Sequence, residues 1–207
     1  QALLQDGDVV MSYLRKSVAK TVALDRIERV LQAKLEPELE AIADDGCPLQ
    51  VPRKQDYHKP GNHRTNAIVA APLAIVIEQS KPSRTYDRES GDGTEYTATN
   101  DLFVRIQVSF GAGAYSPLTI NGKQQSEAEW LDRKADRYAG AILETLCKYA
   151  RDNTGAIHDI ELGNDYTAAQ DIEDFGMRGI AVLEFTITQH VSFPQNAKDT
   201  DPTDFVA

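Results

Sequence analysis

The stretch that decides the fold is GIAVLEFTITQHVSF, residues Gly179–Phe193. From Leu183 onward it alternates between apolar and polar residues, and successive side chains of a β-strand point to opposite faces of the sheet. The apolar face carries Leu183, Phe185, Ile187 and Val191, with Gln189 as the one interruption, and the polar face carries Glu184, Thr186, Thr188 and His190. The pattern predicts a half-buried strand that stops at Pro194, because proline lacks a backbone donor.

The composition narrows the class of protein. A chain of 207 residues with 41% hydrophobic residues can form one sizeable domain with or without arms. Its net charge of −10 argues against a general nucleic-acid-binding surface and against a polybasic membrane anchor. We find no apolar run of membrane-spanning length and expect no membrane association. Cys47 and Cys147 lack metal-site spacing, and two free thiols are favoured over a disulfide.

The N-terminal part predicts a helix after an ambiguous start. Asp25 followed by Glu28 matches a capping box, and apolar residues then recur at helical spacing. These residues are Ile27, Val30, Leu31, Leu35, Leu39 and Ile42. Pro37 is expected to kink or divide this helix, and Gly46 to end it. Residues 1–24 are interpreted either as an N-terminal arm that reaches a neighbour or as a first helix packed on the core.

A second helix is predicted after Ser126. Ser126 and Glu129 form another capping box, and the helix is expected to end near 153–155. Its apolar stripe comprises Leu131, Ala135, Tyr138, Ile142, Leu146 and Tyr149. Trp130 falls outside the stripe and is expected to cover a core edge or to contact a subunit.

Two strands in the middle of the chain predict a long β-hairpin. They are PLAIVIEQ at Pro72–Gln79 and DLFVRIQVSF at Asp101–Phe110, and the polar residues 80–98 connect them. A connection of that length without a core is functional or mobile in most proteins. If it reaches a partner, Arg84, Tyr86 and Arg88 are the first candidate contacts, because Arg and Tyr are enriched in interface hot spots. The alternative is a mobile hairpin tip.

Three further segments are predicted to be loops or tails. Residues 47–66 form a proline-containing loop with a local basic patch, Arg53, Lys54, Lys59 and Arg64. This loop is interpreted as solvated or as a contact for an acidic partner or a phosphate. A short strand at Ile157–Leu162 precedes an acidic, turn-rich segment at 164–179. Residues 194–207 are predicted to be a flexible acidic tail.

The order of elements predicts an α+β fold. We expect a mostly antiparallel β-sheet with helices packed on one face and a long protruding β-hairpin, all within a single domain at 25–193. Enzyme motifs are lacking: no nucleophile setting, metal cluster or phosphate loop is recognisable, and the four histidines are scattered. His158 beside Asp159 is compatible with an acid–base pair, but a histidine at a strand edge is the simpler interpretation. The sequence favours an assembly protein, not an enzyme, with no catalytic residues, cofactor or metal.

Taken in order, these elements resemble the tail terminator proteins of long-tailed bacteriophages. The resemblance rests on the first helix, on PLAIVIEQ at Pro72–Gln79, on the returning strand TATNDLFVRIQVSF at Thr97–Phe110 and on the long helix at 126–149. It also includes Tyr166, the acids Asp171, Glu173 and Asp174, and the strand at Ile180–Val191 that follows them. It covers roughly residues 24–193.

The resemblance implies a structural virion protein at the head-proximal end of the tail. Such a protein caps the tail tube as a homohexameric ring, stops tube polymerisation and joins the tail to the head–neck complex. The implied partners are the tail tube protein, the neck connector or stopper protein and, in a contractile tail, the sheath protein. DNA would pass through the lumen without specific binding. Two alternatives remain: a head–neck adaptor or stopper protein, and a small ligand-binding or hydrolase domain.

Overall fold

The structure is a computed structural model that describes residues 14–43, 47–58, 71–90, 95–113, 119–120, 122–151 and 155–194. Its two helices are α1 at Lys16–Ile42 and α2 at Glu127–Tyr149, and a short 3₁₀ helix covers Lys54–Asp56. The strands are β1 (Leu14–Arg15), β2 (Tyr57–His58), β3 (Leu73–Ser90), β4 (Glu95–Gly111), β5 (Thr119–Ile120), β6 (Lys123–Gln124), β7 (Asp159–Ile172) and β8 (Gly176–Pro194).

The expected α+β fold with a mostly antiparallel sheet is confirmed. In the main sheet, β4 lies between β3 and β8, and β7 pairs with the edge of β8 that faces away from β4. These four long strands are antiparallel throughout. The two-residue strands β1 and β2 pair in parallel with β8 and β3, respectively. Strands β5 and β6 form a separate small hairpin.

Strands β4 and β8 form the centre of the sheet and pair without a register shift from Glu95↔Pro194 to Gly111↔Arg178. The residues of the predicted apolar face of β8 are buried, and so is their break, Gln189. The facing positions on β4, from Leu102 to Phe110, alternate in the same way. Helices α1 and α2 cover this inner face and share one continuous core with it. The opposite face of the sheet, here called the outer face, carries the half-buried polar positions.

Helix α1 starts earlier than the sequence predicted. It begins at Lys16, so the interpretation of Asp25 as its N-cap was wrong. The capping pattern failed because Ala19 and Ala23 extend the apolar stripe backward, and both are fully buried. The helix continues through Pro37 as one element and ends at Ile42. The predicted stop, Gly46, lies outside the described residues.

The prediction for helix α2 was accurate at its start and wrong at its end. Ser126 accepts a hydrogen bond from the backbone N–H of Glu129, whose carboxylate accepts one from the Ser126 N–H. The helix ends at Tyr149 and not near 153–155. Tyr149 was predicted to belong to the buried apolar stripe, but it is exposed. Trp130 is buried, as expected for a residue that covers the core.

The polar segment 80–98, which connects the predicted strands at Pro72–Gln79 and Asp101–Phe110, is itself mostly β-strand. Residues up to Ser90 belong to β3 and residues from Glu95 belong to β4, so the interpretation of 80–98 as a loop was wrong. The pairing contains irregularities around Lys81 and between Tyr86 and Glu89. These irregularities disturb the polar–apolar alternation by which a strand is recognised in sequence. Residues 91–94 lie outside the described part of the chain.

Strand β7 is also longer than predicted. It runs for 14 residues and includes most of the segment that was interpreted as turns. Most of its positions are exposed, because it lies at the edge of the sheet. The actual turn is Glu173–Phe175, in which Asp174 adopts a φ of 69°. Asp and Asn tolerate this left-handed conformation better than most residues.

The division into arm, domain and tail stays a prediction. Helix α1 crosses its first boundary, because the helix already includes residues 16–24. The remainder of the predicted arm, residues 1–13, and the tail from residue 195 lie outside the described residues. Cys47 and Cys147 are not joined in a disulfide, and the first is buried while the second is exposed.

Candidate interaction surfaces

The predicted hairpin contacts lie on β3, beside the outer face of the sheet. Arg84 is exposed and pairs across strands with Asp101, and the Tyr86 hydroxyl donates a hydrogen bond of 3.0 Å to the Asp101 carboxylate. The hydroxyl of Thr188 lies 3.4 Å from the same carboxylate oxygen. Arg88 lies on β3, but its side chain is not among those described. Arg84 and Tyr86 therefore flank one acidic residue of the returning strand β4.

The sequence prediction missed the neighbours of these residues. Lys81 is exposed, and its amine lies 4.1 Å from the centre of the Phe103 ring on the outer face. A cation over an aromatic face at this distance is attracted to it. Neither Lys81 nor Phe103 was among the predicted contacts, because those were chosen from the Arg and Tyr residues of 80–98. The signal in the sequence was a single aromatic residue at a polar position of an alternating strand.

The centre of the outer face is held by an ionic cluster. The Arg105 guanidinium donates to the Glu184 carboxylate at 2.9 Å and lies 4.0 Å from Glu78. The hydrogen bond from Arg105 is the main reason that the pKa of Glu184 is lowered. Glu184 was predicted to lie on the polar face of β8, and this prediction is confirmed. Beside them, a shallow depression of about 330 Å³ is bordered by Tyr166 and Val182.

The predicted basic loop is only partly described. Arg53 and Lys54 are exposed and lie at the short 3₁₀ helix, where the Asp56 carboxylate accepts a hydrogen bond of 2.7 Å from the Arg53 N–H. Asp56 is thus engaged with the backbone of the loop. Lys59 and Arg64 lie outside the described residues, so the patch of four basic residues stays a prediction.

A buried amide network connects the sheet to helix α1. The Gln189 side chain donates to the Ala19 and Ala156 carbonyl oxygens at 3.0 Å each and accepts from the Asn100 amide at 2.7 Å. Asn100 in turn accepts from Lys16 and from the Thr85 hydroxyl. Burial lowers the pKa of Lys16. The break in the apolar face of β8 is therefore a structural hydrogen-bond centre and not a binding position.

Two of the histidines that the sequence placed apart meet in the structure. The rings of His158 and His190 are 4.2 Å apart between centroids, in an edge-to-face arrangement. The segment before β7 lies against β8, where the His158 N–H donates to the Thr188 carbonyl and the His190 N–H donates to the Gly155 carbonyl. Sequence separation hid this pair, because only the strand register brings the two positions together.

A cleft of about 300 Å³ opens beside the first turns of helix α2. It is lined by Pro48, Leu49, Gln50, Pro72, Phe110, Gly111, Ala112, Gly113, Trp130, Lys134 and Tyr138. The Lys134 amine lies 4.7 Å from the Trp130 ring centre and 5.4 Å from that of Phe110, and burial lowers its pKa. Tyr138 bonds through its hydroxyl to the backbone of Gln50, and burial raises the pKa of this phenol. The cleft suits a small, partly apolar group.

In the described part of the chain, no group of three His, Cys, Asp or Glu side chains is arranged to hold a metal ion. Neither described helix combines the length and apolar character needed to cross a membrane. A scan of protein-family models finds none that matches the chain, and a search of curated proteins finds no match.

Proposed function

We propose that this chain is a structural virion protein, the tail terminator of a long-tailed bacteriophage. It would cap the tail tube as a hexameric ring, stop tube polymerisation and join the tail to the head–neck complex. The observation that carries the proposal is the order of elements: a first helix, a long hairpin, a capped second helix and a final strand that pairs along the whole of β4. This is the order on which the resemblance to terminators rests.

The two-layer architecture supports a role in assembly. The helices lie on one face of the sheet, while the outer face carries half-buried polar residues in the described part of the chain. Arg105, Gln107, Glu184, Thr186, Thr188 and His190 all lie there. A face of this polarity suits either solvent or a wet contact with another subunit.

The charge of the chain suits a conduit for DNA. Its 32 Asp and Glu residues outnumber its 22 Lys and Arg residues, which gives a formal net charge of −10. This excess of negative charge would repel DNA phosphates. A lumen with that charge would let DNA pass without binding it.

The proposed partners follow from the same role. The hairpin residues Arg84, Tyr86 and Arg88 would contact a neighbouring subunit or the tail tube protein. The basic loop residues Arg53, Lys54, Lys59 and Arg64 would contact the neck connector or stopper. In a contractile tail the sheath protein is a further partner. The protein would act in the virion neck, after assembly in the host cytoplasm.

A tube-length assay tests the proposal. Tail tube protein from the same phage is polymerised with and without the chain, and tube lengths are measured by electron microscopy. We expect the chain to arrest growth and to be found at tube ends. Unchanged growth, with no chain at the ends, would overturn the terminator assignment.

Substitutions in the hairpin refine this assay. Arg84→Glu with Arg88→Glu should keep the fold but weaken arrest of tube growth, because both residues lie on the hairpin strand β3 and the substitutions reverse their charge. The matched control is Lys20→Glu with Lys34→Glu on the exposed side of α1, which should arrest growth normally. Full arrest by the hairpin variant would remove these residues from the contact.

A ligand-binding domain is the second candidate, and the cleft beside Lys134 favours it. A thermal-shift screen against nucleotides, metals and small carboxylates separates the two functions. A ligand that binds only the folded state must raise the melting temperature. A head–neck adaptor is distinguished by binding to the connector and not to tubes.

A further inference from the structure

The main sheet ends in two open edges within the described residues. On one side, β3 pairs with β2 only at Ile75 and Val76, so its edge from Ile77 onward carries no further strand of the described chain. On the other side, β7 pairs with β8 and with no other strand of the described chain. Open edges attract other strands and chains, and stable proteins either protect or use them.

Part of the β3 edge carries the opposite charge to the β7 edge. Strand β7 contains the acids Asp159, Glu161, Asp165 and Asp171 and no basic residue. Residues 79–86 of β3 contain Lys81 and Arg84 and no acidic residue. Both basic side chains are exposed, as is Glu161. The sheet is therefore basic along part of one edge and acidic along the other.

The register places these charges at matching heights. Lys81 pairs with Phe103, Phe103 with Thr186, and Thr186 with Glu161, so Lys81 and Glu161 are the two ends of one cross-strand row. The adjacent row has Arg84 at one end and Asp159 at the other, through Asp101 and Thr188. Side chains that are opposite each other across strands lie on the same face. Both rows thus end on the outer face.

We propose that the β3 edge of one copy contacts the β7 edge of the next, with Lys81 facing Glu161 and Arg84 facing Asp159. Strand β3 is antiparallel to β4, β4 to β8 and β8 to β7, so β3 and the next copy's β7 would also be antiparallel. Two different patches that meet head-to-tail close into a ring when the rotation allows it. If the ring axis runs parallel to the strands, every copy holds a given cross-strand row at the same position along that axis. The Lys81 end of a row in one copy then meets the Glu161 end of the same row in the next copy.

The contact is made mainly by side chains and is not one continuous strand ladder. Pro82 lacks a backbone donor, and the pairing of β3 is irregular on both sides of it, between Gln79 and Lys81 and between Lys81 and Arg84. Asp159 already lies 2.5 Å from Arg151, but this pair is exposed and such pairs contribute little. Asp159 would therefore lose little free energy if it left Arg151 and paired with Arg84 of the neighbouring copy.

This inference rests on the proposed function, for which it names the subunit contact. The test uses two charge-reversed forms of the full chain. The first carries Lys81→Glu with Arg84→Glu, and the second carries Asp159→Lys with Glu161→Lys. Sedimentation over a concentration series should show the native chain as a ring and each variant with roughly hundredfold weaker self-association, because like charges would meet.

Mixing the two variants in equal amounts gives the decisive result. The first variant has an acidic β3 edge, which fits the basic β7 edge of the second variant. The native β7 edge of the first variant is acidic and fits the native, basic β3 edge of the second. An alternating ring should therefore form from two variants that fail separately. The control, Glu36→Lys with Glu40→Lys on the exposed side of α1, should assemble like the native chain. Circular dichroism and melting temperatures confirm that each variant is folded.

The outcomes separate this inference from the terminator assignment. A native chain that stays monomeric at all concentrations, or folded variants whose mixture does not assemble, would overturn the edge contact. If a variant fails to fold, the salt dependence of the native ring decides, since the contact should weaken as salt rises. Rings that respond to charge reversal but do not arrest tubes would overturn only the terminator assignment.

Discussion

At the scale of single residues, Gln189 shows what an alternation pattern can and cannot reveal. The pattern identified it as a break in an apolar face, and the residue is indeed on that face and fully buried. Its partners, Ala19, Asn100 and Ala156, come from distant parts of the chain. A sequence pattern shows that a polar residue is buried, but only the fold shows what satisfies it.

The sequence pattern and the structure make opposite predictions for the stability of Gln189→Leu. The pattern alone suggests that leucine would complete the apolar face and stabilise the strand. The structure predicts a loss of about 3 kcal/mol, because buried carbonyls and the Asn100 amide would lose their partner. Urea unfolding measures the free energy directly. The control, Gln107→Leu on the outer face, should change it by only about 0.5 kcal/mol, and an equal effect of both would contradict the network.

Glu184 provides a prediction for pH. Its folded-state pKa is lowered by the Arg105 hydrogen bond, so its contribution to stability is present above the unfolded-state pKa near 4.5. The contribution is lost as pH falls through the lower folded-state pKa. Arg105→Gln should therefore raise the pKa of Glu184 toward the ordinary glutamate value. NMR titration of the carboxyl carbon checks this, and an unchanged pKa would show that Arg105 is not the cause.

At the scale of elements, the sequence predicted those with a continuous buried face. Strand β8, the inner half of β4 and the start of α2 were found because their apolar residues recur with the period of the element. The polar parts of β3 and β7 were missed, because an edge strand has little burial to mark it. The start of α1 was missed because alanines are a weak apolar signal.

The packing of β8 against β4 makes a prediction for two glycines. A Cβ atom at Gly179 would lie 2.3 Å from the Phe110 ring and 3.1 Å from the Leu131 carbonyl oxygen. Gly179→Ala should therefore destabilise the protein by about 2 kcal/mol through overpacking. Gly140→Ala is the matched control, since its Cβ meets nothing within 4 Å in the helix α2.

The control should change the free energy of unfolding in the opposite direction. Alanine is favoured over glycine inside helices, so Gly140→Ala should stabilise the protein by roughly 0.5–1 kcal/mol. Thermal or urea unfolding of both variants gives the two values. Two changes of the same sign would indicate that the close approach of Gly179 to Phe110 is not maintained in solution.

At the scale of the whole molecule, only part of the candidate interface followed from the sequence. Arg84 and Tyr86 were chosen from residue type and position in the hairpin, and they lie beside the outer face of the sheet. Lys81, Glu161 and Asp159 were not chosen, because their alignment depends on the register across four strands and on irregularities in β3. Neither is encoded in a local pattern.

The whole molecule is a sheet that is covered by helices on one face and has edges of partly complementary charge. Such a subunit can place copies side by side with the helices on the same side of every sheet. This arrangement accounts together for the polar outer face, the basic segment 79–86 of β3 and the acidic strand β7. A monomeric ligand-binding domain gives no reason for the two charges to lie at equal heights.

The most direct test of this account is the number of copies at the end of a tail tube. Native mass spectrometry of tubes capped by the chain should give six copies per tube end, in agreement with a closed hexameric ring. One or three copies per end, or a chain that leaves tubes uncapped, would contradict it.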